Sequence, residues 1–368
     1  MDRRNKYMDL FHVDRLSKLP DDIIYQILSF LDIKYVVQTS TLSKRWMHIW
    51  KSVTHLNFDS YKFHTMPQFI RFVNNVLSKR NSNSQVSAVE LRFGGPAIEY
   101  AIESIVNYAY LHSVQKLSLI WFTYEEQNFP LYLFTCHTLK HLILAVYNRS
   151  MYAGICHLPE SPWDFPALET LNLKNVQFHD CEDKSANLFS KCVNLKELTL
   201  HGFKMAPLET FTICAPQLSS LTIRNAYCFP KVLNVVAPQL KDLMASIQCS
   251  LPFQLGDYLQ LSTVMSDSLE KVSLSKVYAR YYNHEKHFSR VFDLFKKLHS
   301  AKFLTLDMNI IQMLSSCEDQ LRLEPSPFNN LTCLRIDATN VNPMEAIEVK
   351  DYFLRNSSNS TFIMDSHP

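Results

Sequence analysis

The chain has 368 residues, 47% of them hydrophobic, which is ample for a globular core and points to about two domains. Its 37 basic and 35 acidic residues are spread along the sequence and leave a net charge of +2, so composition gives no reason to expect nucleic acid or an anionic membrane as a partner. Only 5 glycines occur, which speaks against Gly-rich phosphate loops, and the 9 cysteines fit free thiols rather than a disulfide framework. No uncharged apolar run is long enough to span a membrane, and the stretch 1–18 lacks the apolar core of a secretory signal. The expected location is therefore cytoplasmic, nuclear or both.

Residues 14–50 read as three short helices. Leu19-Pro20 opens the first, because proline fits a first helical turn whose N–H has no partner anyway. Asp21 and Asp22 follow, favourable at the positive end of the helix dipole. Ile23, Ile24, Ile27, Leu28 and Leu31 form a wide apolar face. Asp32 can cap a second helix carrying Val36 and Val37. Ser40 or Thr41 can cap a third, bearing Leu42, Trp46, Ile49 and Trp50. About forty residues cannot usually bury so much apolar surface alone, so the surplus must pack on the rest of the chain, on a partner, or on both.

LPDDIIYQILSFLDIKYVVQTSTLSKRWMHIW resembles the F-box family. The match rests on Leu19-Pro20, Asp21/Asp22, Ile27-Leu28, Phe30-Leu31 and Leu42-Ser43-Lys44-Arg45-Trp46. The resemblance implies docking onto the Skp adaptor of an SCF-type cullin–RING ubiquitin ligase. It makes Leu16, Leu19, Pro20, Ile23, Ile24, Ile27 and Leu28 the adaptor-facing positions. Leu31, Val36, Val37, Leu42 and Trp46 would hold the helices together or meet the adaptor's tail.

Further along, 55–59 reads as a first short strand and 66–80 as a helix. From there one apolar-x-apolar unit recurs, centred on Leu91, Leu117, Leu142, Leu171, Leu198, Leu221, Leu243, Val272, Leu304 and Leu334. Successive centres lie from 22 residues apart (Leu221 to Leu243) to 32 (Val272 to Leu304). This is an irregular leucine-rich-repeat signature: each unit gives one short strand whose leucines bury against the next unit, so the array is stable only as a stack. Connectors 96–112 and 285–299 show helical periodicity, whereas those with Ala-Pro at 206–207, 215–216 and 237–238 favour irregular turns. Residues 342–359 suggest a last helix and a polar tail.

The expected fold class is α+β: a three-helix F-box over 14–53, an α/β solenoid of about ten irregular repeats over 54–340, and a C-terminal helix with a polar tail over 341–368. The combination resembles the plant F-box/leucine-rich-repeat group with FBD-like members. About thirty residues follow the last repeat, so a further FBD-type domain is expected to be absent or vestigial.

Chemistry is hard to place on this chain. The closest cysteines, Cys181 and Cys192, are eleven apart, and His179 with Cys181 makes only a lone pair of possible ligands, so no metal is expected. The carboxylate pairs Asp21-Asp22, Glu125-Glu126 and Glu182-Asp183 fall at a helix start or in loops. No Walker, Rossmann or G-x-S-x-G pattern occurs, so neither a catalytic residue nor a cofactor is expected.

A binding surface remains. Residues between the paired leucines face the opposite side of the sheet, as Arg92, Ser118, Ile143, Asn172, Thr199, Thr222, Met244, Ser273, Thr305 and Arg335, preceded by neighbours such as His141. This row is mixed and mostly small. Connectors 146–165 and 277–288 add Tyr147, Trp163, Tyr281 and Tyr282, which suit a recognition surface or simply cover the edge of the stack. The target-binding candidates are Arg92, His141, Asn172, Tyr147, Trp163, Tyr281 and Tyr282. The resemblance thus implies a non-catalytic substrate receptor of a ubiquitin ligase, holding an unknown protein target. The rival is an interaction scaffold with a degenerate F-box that enters no ligase.

Overall fold

The computed structural model describes residues 18–94, 99–122, 127–128, 131–147, 156–158, 163–178, 185–203, 210–224, 232–248, 259–261, 268–277, 284–337, 343–357 and 360–365. The chain divides into two compact units, Met1–Thr123 and Tyr124–Pro368.

In the first unit, α1 (Asp21–Ser29) starts directly after Pro20, whose carbonyl accepts the Ile24 N–H at 3.1 Å. The second helix, α2 (Ile33–Gln38), is capped by Asp32, which accepts the Lys34 N–H at 2.7 Å. The third is shorter than its periodicity suggests: α3 covers only Trp46–Ile49. Neither Ser40 nor Thr41 caps it. Thr39 Oγ1 donates back to the Val36 carbonyl at 2.7 Å and Thr41 Oγ1 to that of Gln38 at 2.9 Å. Residues Thr39–Thr41 thereby tighten into a 3₁₀ turn. Ser43 Oγ takes over as acceptor for the Trp46 N–H at 3.4 Å.

The chain then alternates strand and helix: β1 (His55–Asp59), α4 (Met66–Lys79), β2 (Ala88–Gly94), α5 (Glu99–Leu111) and β3 (Lys116–Phe122). Pro67 sits in the first turn of α4, and Thr65 Oγ1 accepts the Gln68 N–H. The strands pair in parallel, with Phe58 opposite Leu91 and Leu91 opposite Leu119. All three are buried, as is Trp121, stacked on Phe93 at 5.9 Å.

The second unit repeats the pattern in β4 (His141–Tyr147), β5 (Thr170–Lys174), β6 (Glu197–His201), β7 (Ser220–Arg224), β8 (Asp242–Gln248), β9 (Lys271–Val277), β10 (Phe303–Asp307), β11 (Cys333–Asp337) and β12 (Thr361–Asp365). All nine run parallel in chain order. One inward rung passes through Leu142, Leu171, Leu198, Leu221, Leu243, Val272, Leu304, Leu334 and Phe362. Stacking like side chains in register gives each strand a partner for a face it cannot bury alone. Helices α6 (His284–Lys297), α7 (Met308–Ser315), α8 (Glu318–Leu323) and α9 (Pro343–Leu354) complete the unit. Phe295, Phe328 and Phe353 form an aromatic cluster with centroids 5.3–5.9 Å apart.

Two expectations are corrected. The Ala-Pro connectors are not wholly irregular: Thr210–Cys214 and Val232–Val236 are strands of a second parallel sheet and run directly into Ala215-Pro216 and Ala237-Pro238. Proline ends those strands, because it has no N–H to continue the ladder. Nor is the C-terminal stretch only a polar tail: Thr361–Asp365 pairs with β11 and extends the leucine rung. Phe362 takes the inward place that Leu334 holds one strand earlier.

Candidate functional site

Two surfaces remain once the cores are assigned. The first is on α1. Ile24 and Leu28 are 0% and 1% exposed. They belong to the unit's interior, so their assignment to an outward face is corrected. Val36 and Trp46 are buried beside them. The outward stripe is Ile23, Ile27, Phe30 and Leu31, at i, i+4, i+7 and i+8, with Phe30 81% exposed. Pro20 is exposed and Leu19 half-buried, while Leu16 lies outside the described residues. Leu42, at 60% exposure, does not hold the helices together. An Asp21–Arg45 ion pair ties the start of α1 to the turn before α3.

Such a stripe is the wrong way round for a finished surface. Ile24 and Leu28 fill the interior, whereas Ile23, Ile27, Phe30 and Leu31 meet water along α1 and the turn that follows it. A groove of about 300 Å³ adjoins it, where Phe30, Leu31 and Tyr35 approach Asp59, Lys62 and Arg92. Arg92 is thus brought to the rim of the α1 stripe.

The second surface is the outward face of the β4–β12 sheet. His141 Nδ1 and Thr170 Oγ1 lie 2.9 Å apart, and Asn172 is half-exposed between Ile143 and Thr199. Tyr147 accepts a hydrogen bond from Lys174 Nζ at 3.0 Å, with the ammonium 4.5 Å from its ring centroid. Trp163 is not part of this face. It is fully buried, 4.8 Å from Phe134 and 5.5 Å from Phe189 by ring centroids, and is a core residue. Tyr281 and Tyr282 lie outside the described residues. From β7 to β12 the face opens into a groove of about 620 Å³, lined by Thr222, Met244, Ser273, Phe303, Thr305 and Arg335.

One feature of this face is missing from the row between the leucines. From β5 onward the residue after the second inward residue of each strand also points outward, and the charged ones sort by sign. Lys174, His201 and Arg224 stand in register on β5, β6 and β7; Asp307, Asp337 and Asp365 stand in register on β10, β11 and β12. The signal is in the sequence as L-N-L-K, L-T-L-H, L-T-I-R, L-T-L-D and L-R-I-D. Burial, with Lys174 and Arg224 on either side, holds His201 below the usual imidazole range. Arg335 pairs with Asp365.

Among the described residues no group of three His, Cys, Asp or Glu side chains comes together to hold a metal ion; His179 and Cys181 lie outside them. Burial pushes the Cys192 thiol up to about 12, leaving it protonated and unreactive. Asp21 and Asp22 are solvent-exposed at a helix start. No described helix is long and apolar enough to cross a membrane.

A helical block bearing an apolar stripe, followed by parallel strands with stacked leucines, defines a leucine-rich-repeat protein with an N-terminal helical module. Comparison with known proteins agrees. The F-box domain family matches residues 16–57, and the family described as FBD-associated F-box protein At5g56370, LRR repeats, matches residues 102–310. The Arabidopsis thaliana F-box/LRR-repeat protein At3g26922 is 34% identical over 236 residues, covering 62% of this chain and 74% of the relative. The Arabidopsis thaliana F-box/FBD/LRR-repeat proteins At3g26920 and At5g56420 are 32% and 31% identical, over 59% and 58% of this chain. The chain spans 49% of the length of each of those two. The chain belongs to the plant F-box/LRR-repeat family.

Proposed function

We propose that this chain is the substrate-recognition subunit of an SCF-type ubiquitin ligase. Its F-box docks a Skp-type adaptor, and its repeat strands, one per repeat, hold a target protein for ubiquitination by other subunits. The observation that carries the reading is the exposed stripe Ile23, Ile27, Phe30 and Leu31 within an F-box match. Leu19 and Pro20 adjoin it, and the F-box resemblance adds Leu16 to the same adaptor-facing set. Burying four such side chains is worth about 1.5–3 kcal/mol each, on the order of 10 kcal/mol before association costs. The contribution to ubiquitin transfer is proximity, since a tethered target meets the charged enzyme at high effective concentration.

The test is capture of a Skp-type adaptor by the full chain, beside Ile23→Asp/Ile27→Asp. Two carboxylates on the stripe abolish a buried apolar contact while leaving Ile24 and Leu28 to hold the fold. Capture by the wild type and its loss in a folded variant support the reading. A well-folded wild type that captures no adaptor sinks it, and leaves an interaction scaffold with a degenerate F-box.

A further inference from the structure

The outward row at the C-terminal ends of the β5–β12 strands carries separated charge. Lys174 and Arg224 are positive on β5 and β7, with His201 between them. Ser246 and Ser275 follow on β8 and β9 and are neutral. Asp337 and Asp365 are negative on β11 and β12. Lys174 and Arg224 flank His201, whose pKa is depressed by burial and by these two cations, while Asp337 stands beside Asp365, which Arg335 already pairs. A partner with the complementary pattern meets opposite charge at each end.

Lys174, Arg224 and Asp337 are available for such a partner, whereas Asp365 is held by Arg335. Among the described residues the Arg224 guanidinium hydrogen-bonds a thioether alone, with Nη2 2.6 Å from Met244 Sδ, a weak acceptor. Lys174 is held by a neutral phenol. Among the described residues no carboxylate lies within ion-pair reach of either, and no cation pairs with the exposed Asp337. Between the two charged ends lies the 620 Å³ groove, floored by the small side chains Thr222, Ser273 and Thr305. Small side chains admit a backbone close to the sheet.

We propose that this charge-segregated row docks an extended segment of the target protein that crosses the strands, its acidic end over Lys174 and Arg224 and its basic end over Asp337. The length follows from the geometry. Six interstrand steps separate Lys174 on β5 from Asp337 on β11, roughly 29 Å at about 4.8 Å per step, and an extended chain covers that in about nine residues at ~3.3 Å each. Opposite charges at the two ends set orientation and exclude segments of a single sign, because either end of those meets its like charge. This deepens the reading of the sheet as the target-binding surface and rests on it.

A displayed library of random peptides about nine residues long, selected on the full chain, tests the proposal. The expected clones carry Asp or Glu towards one end and Lys or Arg towards the other. The leading clone, measured by fluorescence anisotropy, should bind about tenfold or more weakly to Lys174→Glu/Arg224→Glu and to Asp337→Lys. These are surface positions. Circular dichroism checks the fold of each variant, and the milder Lys174→Gln/Arg224→Gln serves if the charge reversal unfolds. No enrichment, clones of one sign or none, or binding indifferent to the variants overturns the proposal. Adaptor capture is read separately on the same protein. Peptide selection without adaptor capture therefore refutes the ligase role alone, and adaptor capture without charge-polar clones refutes this docking mode alone.

Discussion

The Arg80 guanidinium donates to the Val53 carbonyl at 2.6 Å, joining the end of α4 to the residue where the helical block gives way to β1. Arg80 Nε also donates to Tyr108 Oη at 3.1 Å, on α5. Arg80 is 8% exposed and has no carboxylate partner among the described residues; burial holds its pKa below the usual guanidinium value. One planar fork thus fixes the junction between F-box and repeats to two helices. Arg80→Ala should cost about 2–3 kcal/mol in urea denaturation, the loss of charge-assisted hydrogen bonds that leave a buried carbonyl unpaired. Arg80→Lys should recover little of it, since one ammonium cannot reproduce the fork.

The division between inner and outer faces of α1 predicts opposite outcomes at neighbouring positions. Ile24→Ala opens a cavity and should destabilise the chain by about 2–5 kcal/mol. Phe30→Ala removes a side chain that is 81% exposed and should change stability by about 0.5 kcal/mol or less, while weakening adaptor capture. Thermal melts paired with adaptor pull-down check both. Equal stability losses would mean that α1 is rotated from the orientation described.

Asp32 ties the fold of α2 to a half-buried carboxylate. It accepts the Lys34 N–H, yet burial, opposed mainly by that hydrogen bond, raises its pKa. Asp32→Ala should cost about 1 kcal/mol as a lost cap, and Asp32→Asn much less. The carboxyl holds its proton more tightly folded than unfolded. Its contribution to stability is therefore greatest below the ordinary Asp value and falls as pH rises through the raised folded value. Denaturation midpoints of Asp32→Asn should lack that component of the wild-type pH profile.

His201 has the opposite sign. Its folded pKa is depressed, first by burial and then by Lys174 and Arg224, so the unfolded chain binds a proton more readily. Stability from this group is present above the ordinary imidazole range and is lost as pH falls from about 6.5 towards the depressed value. Denaturant titrations at pH 7.5 and 5.5 should show a smaller drop for His201→Gln than for the wild type. An equal drop would place the effect on other histidines.

Much of this was legible in the sequence because it is local and periodic. Leucines at fixed intervals specify strands, and the Leu171, Leu198 and Leu221 centres fall opposite one another in register. Asp32 as a cap and Pro20 at a helix start follow from short-range backbone chemistry. The second sheet was missed because Thr210–Cys214 and Val232–Val236 are ended by Ala-Pro, which reads as a turn and hides the alternation before it. Thr361–Asp365 was missed because it sits in a polar stretch without a leucine.

The sequence by itself determined the family, the helical block, the stacked-leucine strands and the absence of any familiar catalytic motif. Only the tertiary structure decided which side of α1 is spare. Ile23, Ile24, Ile27 and Leu28 cover so wide an arc that periodicity cannot say which pair meets the core, and packing buried Ile24 and Leu28. It likewise sent Trp163 inside, against Phe134, where composition alone allowed a surface role. The separation of Lys174 and Arg224 from Asp337 and Asp365 also depends on three-dimensional order. Residues up to 32 positions apart become neighbours only when parallel strands pair in register, and a charge pattern across strands exists only once that pairing is made.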